Sequence, residues 1–77
     1  GEGWSAAHDD RQGAGRLARA ASAYALSLTG PGAGLYWPWS KETWKPSGKS
    51  TRRRLVVAAA LIVAAIDVID RAEAASE

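Results

Sequence analysis

Cysteine is missing from all 77 residues, which removes disulfide staples, thiolate metal sites and cysteine nucleophiles together. Histidine is almost missing: His8 stands alone and cannot supply a His-based metal cluster. Phenylalanine and methionine are absent as well, so the bulky side chains available to a core reduce to four tryptophans, two tyrosines and the aliphatic residues. A formal charge of +2 is too small to argue for nucleic acid. The longest apolar run, "LVVAAALIVAAI" from Leu55 to Ile66, has twelve residues and stops at Asp67. A membrane-spanning helix needs about 20, so no membrane partner is expected. A chain this short forms one domain, 1–77, with a modest core, and oligomerisation is the available source of further stability.

Composition shifts divide the chain. Residues 1–12, "GEGWSAAHDDRQ", are polar apart from Trp4 and read as an ordered lead-in, with one helical turn begun by Ser5. Gly13 and Gly15 discourage helix. The Ala-rich stretch after them places Leu17, Ala21, Tyr24 and Leu28 at i, i+4, i+7 and i+11, so a first amphipathic helix is expected within 13–29. "TGPGAG" ends it, because Gly30 suits the left-handed cap position and Pro31 cannot continue the ladder. Residues 30–49 hold, after Pro31, the two prolines of "WPW" and "WKP" and three tryptophans, and read as an irregular loop with room for short strands. Its aromatic content argues against disorder. A second helix is expected over 50–75, capped by Ser50 or Thr51. Its inner stripe reads as Leu55, Ala59, Ile62, Ile66 and Ile69. Val56, Val57, Ala60, Leu61, Val63 and Ala64 make its first half apolar nearly all round, more than one partner helix can cover. The fold class is therefore mainly α, two principal helices joined by a Trp/Pro-rich loop, packed as a homodimer or higher homo-oligomer.

The tetrapeptide Gly48-Lys49-Ser50-Thr51 resembles the end of a P-loop. That motif needs a glycine five residues before its Gly-Lys pair to wrap the phosphates, and Thr43 stands there. What remains is an inverted charge pattern. Arg52, Arg53 and Arg54 occupy the first turn of the second helix, where the macrodipole prefers anions; Asp67, Asp70 and Glu73 occupy its last turns, where it prefers cations. Either the arginines meet carboxylates elsewhere, such as Asp9 and Asp10 or a partner subunit's Asp67 and Asp70, or they hold an anion together with the helix N–H groups. Trp37, Trp39 and Trp44 beside Lys45 and Arg52 form a candidate base-stacking cage, against the plainer reading of tryptophans as core residues. Asp67 and Asp70 have the i, i+3 spacing of Mg²⁺-holding carboxylates, but Asp67 is also placed to pair with Arg71. His8, followed by Asp9 and Asp10, reads as a ligand contact or structural residue, since no nucleophile stands beside it.

The order "GWSAAHDD", "GRLARAASAYAL", "WPW", "WKP" and "RRLVVAAALIVAAIDVIDR" resembles a group of short phage and prophage proteins of undefined function, over most of the chain. The sequence departs from that group at Gln12, where a basic residue or histidine is common, and at Ala64 and Ala65, where acidic residues occur. It is more distantly similar to the ryanodine-receptor repeat, in the Gly-Trp and acidic pair before a helix and in Asp70-Arg71 closing a later one. That resemblance implies a small helical module that pairs with itself and takes nucleotide or adenine-type ligands. In a phage it implies a cytoplasmic protein of the bacterial host that sequesters a nucleotide immune signal.

Together these observations set an expectation of a non-enzymatic module, without cofactor or metal, that binds a small phosphorylated ligand such as a nucleotide. Trp37, Trp39 and Trp44 are expected to form the walls, Lys45, Arg52 and Arg53 to supply the charge, and His8, Asp9 and Asp10 to contact base or ribose. The alternatives are a structural or protein-interaction module, and a metal-dependent nucleotide pyrophosphohydrolase built on Asp67 and Asp70.

Overall fold

A computed structural model of the chain describes residues 6–76, and their side chains over 12–75. Two long helices form an antiparallel hairpin: α1, Ala6–Leu26, and α2, Thr51–Ser76. The connection contains two short 3₁₀ turns, Ala33–Tyr36 and Lys41–Thr43, and no strand is present among the described residues. The fold is thus mainly helical. Its 42 × 20 × 17 Å extents follow from α2, whose 26 residues at about 1.5 Å each set the long dimension.

The first helix starts well before residue 13 and runs through Gly13 and Gly15. Each glycine costs a helix about 1 kcal/mol relative to alanine. The cost is overridden locally by a helix-forming alanine background and by the packing of Ala14, which is buried between the two glycines. Neither glycine is demanded by a close neighbour, since a Cβ at either would meet open space. Ser5 and Trp4 lie outside the described residues. At the other end, the Ser27 hydroxyl donates to the Tyr24 carbonyl at 2.6 Å and the Thr29 hydroxyl to that of Leu26 at 2.7 Å, satisfying last-turn acceptors. The chain then turns through Gly30 and Gly32, whose positive φ values of 139° and 97° are strained for any residue with a side chain.

The hairpin closes on alanine. Ala14 and Ala21 on α1, and Ala58 and Ala72 on α2, are all buried, and Ala65 lies half-buried between the latter two. A small residue every seventh position lets two helix backbones approach closely, as larger side chains do not. Tyr24, also buried, plugs the end nearest the loop, and Val57, Leu61, Trp37 and Trp44 pack around Tyr24, Ala21 and Ala58.

This seam reverses the expected orientation of α2. The stripe read as inner faces solvent: Leu55, Ile62 and Ile66 are 47%, 49% and 54% exposed, Ala59 is exposed, and only Ile69 is partly covered. The face toward α1 is instead Val57, Ala58, Leu61, Ala65, Val68 and Ala72. Because the first half of α2 is apolar on every side, periodicity marks both faces equally, and the alanine spacing selects between them.

The Ser50 hydroxyl caps α2, accepting the Arg53 backbone N–H at 3.1 Å. In the loop, the Trp37 indole N–H donates to the Thr43 hydroxyl at 2.9 Å, which donates in turn to the Ser40 carbonyl at 2.7 Å. Trp44 lies flush on Gly34: a Cβ there would fall 2.7 Å from the Trp44 Nε1 atom. Gly34→Ala must therefore displace the indole, and is expected to destabilise the fold by about 1–3 kcal/mol in urea unfolding. Gly48→Ala, where the added Cβ meets nothing, is the matched control.

Candidate functional site

The aromatic residues of the loop are packed against one another. Trp37 meets Tyr24 edge-on at 5.5 Å, Trp44 meets Tyr24 at 4.9 Å, and Trp37 and Trp44 lie 5.1 Å apart at 40°. Trp39 adds an edge contact to Trp37 at 5.1 Å and stays 42% exposed. Such offset and edge geometries are the favourable ones for aromatic pairs. Trp37 and Trp44 are half-buried and committed to the core, so Trp39 alone of the three offers much ring surface.

The basic stretch divides by direction. Arg54 turns inward: its Nε donates to the carbonyls of Pro46 at 2.9 Å and Lys49 at 3.2 Å, and Nη1 to that of Ser27 at 3.3 Å. One guanidinium thus ties the end of α1, the loop and the start of α2 together. Its five rigid donors suit it to this task better than a lysine. Lys49 is also engaged, donating to the Lys45 carbonyl at 3.0 Å with its ammonium 5.6 Å from the Tyr24 ring centre. Lys45, Arg52 and Arg53 are exposed. Among the described residues Lys49 is the one cation seated over an aromatic ring, and no carboxylate pairs with Arg52 or Arg53.

The space between the tryptophan loop and the start of α2 is a cavity of about 180 Å³, lined by Ser27, Gly32, Gly34, Trp44, Pro46 and Arg54 among others. Small-molecule pockets typically measure about 300–1,000 Å³. The expected walls and charges therefore do not converge on one cavity: Trp37 and Trp44 point into the hairpin, while Lys45, Arg52 and Arg53 point to solvent. His8, Asp9 and Asp10 belong to α1, and their side chains lie outside the described ones.

Two other concavities were not among the expected sites. One is an open cleft of about 560 Å³ between α1 and the loop, lined by Gln12, Gly15, Arg16, Arg19 and Pro38. The other, about 370 Å³, is an apolar groove along the seam between the helices, lined by Ala14, Gly15, Ala18, Ala65, Ile66 and Ile69. A signal for the first exists in the sequence. Arg16 and Arg19 stand at i, i+3, and the positions three and four away from each carry Gln12, Gly13, Gly15, Ala20, Ser22 and Ala23 beside the arginines themselves, with no acid among them.

The acidic end of α2 holds one surface pair, Arg71 to Asp67 at 3.6 Å, with both side chains mostly exposed. This is the i, i+4 pair that the spacing predicts, and it contributes at most a few tenths of a kcal/mol. No group of three or more His, Asp or Glu placed to hold a metal occurs among the described residues. Nor, among them, is any helix long and apolar enough to cross a membrane. No family model, curated protein or solved structure matches the chain.

Arg54→Met, which keeps the stem and removes the donors, is expected to cost about 2 kcal/mol in urea unfolding followed by tryptophan fluorescence. Arg54→Lys should recover less than half of that loss, since one ammonium cannot span the three carbonyls. Full recovery by lysine would show that charge alone is what the position requires.

Proposed function

We propose that the chain is a helical-hairpin assembly module that works through the outer face of α2, pairing there with a second copy of itself. The observation that carries this reading is the continuous apolar surface on that face. Leu55, Val56, Ile62, Val63 and Ile66 are all at least 38% exposed, and Ala59 and Ala60 between them keep it low and flat. Scattered exposed aliphatics are ordinary, but a connected stripe along one helix is what association surfaces look like. Few large side chains are spent inside: among the described residues the buried set is seven alanines and Tyr24. Burying the stripe against a copy supplies the apolar burial that so small a hairpin lacks.

A second reading keeps the small phosphorylated ligand and is favoured by the Arg16–Arg19 cleft. Neither arginine has an ion-pair partner among the described residues, the pair borders a cleft of small-molecule size, and Pro38 places the exposed Trp39 next in sequence to its wall. Two guanidiniums about one helical turn apart suit a diphosphate, with nucleotide as the ligand class. The two readings are compatible, because α1's cleft and α2's outer stripe are different surfaces.

For the first, sedimentation equilibrium should show the wild type associating and Ile62→Ser/Ile66→Ser at least about 100-fold weaker, with unchanged helical circular dichroism, as both side chains are already solvent-exposed in the single hairpin. A wild type that stays monomeric at millimolar concentration overturns the assembly reading. For the second, titration with ATP followed by tryptophan fluorescence should lose about tenfold or more in affinity in Arg16→Gln/Arg19→Gln, and little in Arg52→Gln/Arg53→Gln. The opposite ranking would return the ligand to the start of α2.

A further inference from the structure

The α2 surface carries more than apolarity. Arg52, Leu55, Ala59, Ile62, Ile66, Ile69 and Glu73 follow one another at alternating intervals of three and four residues, the spacing that keeps one face of a helix turned toward a neighbouring helix. Arg52 and Asp70 stand eighteen residues apart, five turns of about 3.6 residues, so they lie on one line along the helix. Both are exposed, and among the described residues Arg52 has no carboxylate partner and Asp70 no cation partner. The helix therefore presents a hydrophobic stripe with an uncompensated positive charge at its start and an uncompensated negative charge near its end.

Resting on the reading of this face as a self-association surface, we infer that two copies pair antiparallel along α2, with Arg52 of each reaching the partner's Asp70. The register that joins these charges brings Leu55 within one residue, about 1.5 Å, of the level of the partner's Ile66, and Ala59 equally near that of the partner's Ile62. Small then faces large at the centre, the complementarity that close-packed helices need. A parallel pair has the opposite electrostatics. It stacks three arginines on three arginines, Asp70 on Asp70, and two macrodipoles head to head. The antiparallel pair also accounts for the inverted charges of α2, because acidic residues and the negative dipole end of one helix lie beside the arginine-rich start of the other. α1 covers the Ala58–Ala65–Ala72 face of each α2, so the outer stripe is open for this contact. The assembly carries one tryptophan loop at each end.

The absence of cysteine makes the test direct. Leu55→Cys and Ile66→Cys proteins are prepared separately, mixed in equal amounts and oxidised. The expected result is a covalent dimer in the mixture and none in either variant alone, because in this register two Leu55 positions are roughly 18 Å apart along the axis and two Ile66 positions roughly 15 Å, and a disulfide needs Cα atoms within about 7 Å. Crosslinking of each variant with itself establishes a parallel pair and overturns the inference while leaving self-association intact. Association without any crosslink places the contact on another surface and also overturns it. Monomeric wild type defeats the assembly reading as a whole. As a second measurement, Arg52→Glu should weaken association about tenfold or more, and Arg52→Glu/Asp70→Arg should restore it; loss without restoration rejects the Arg52–Asp70 contact.

Discussion

Close approach of two helix backbones over alanine is the constraint on which the other features of this hairpin depend. Because Ala14 and Ala21 face Ala58, Ala65 and Ala72, the helices meet with little side-chain volume between them. Val57 and Leu61 flank this seam, while Leu55, Val56, Ile62, Val63 and Ile66 are directed away from α1. A hairpin closed mainly over alanine leaves much of the apolar surface of α2 exposed.

Such a thin interface does not close the hairpin by itself, and the aromatic loop and one arginine complete it. Tyr24 brings bulk to the end where the chain leaves α1, and Trp37 and Trp44 cover it. Arg54 joins three carbonyls from three segments at the same end. The region richest in tryptophan and positive charge is thus largely occupied with holding the structure. The three tryptophans are brought together there on one another and on Tyr24, while Arg16 and Arg19 of α1 border a roomier cleft.

Dividing the molecule in this way separates its surfaces by task. The seam and the aromatic end hold the fold, the outer stripe of α2 is exposed, and the Arg16–Arg19 cleft lies on the α1 and loop side. The residues lining that cleft and those of the outer stripe do not overlap.

By itself the sequence determined the local features whose causes are local. The helical character of the two long segments follows from propensity and period, a hydroxyl cap at Ser50 or Thr51 from their side chains, the turn at Gly30 from its freedom at positive φ, and the Asp67–Arg71 pair from helical spacing; the structure uses Ser50 as the cap. The excess of apolar surface on α2 was legible too, since no single helix can cover it. Tertiary structure alone decided which face of α2 turns inward, because an all-apolar segment gives periodicity nothing to choose between and only the fit of alanine against alanine breaks the tie. It also decided that α1 continues through Gly13 and Gly15, where contact with α2 outweighs propensity. Lastly, it decided which arginine of three consecutive ones serves the fold: neighbours on a helix point about 100° apart, and only Arg54 is aimed at the carbonyls left open by Ser27, Pro46 and Lys49.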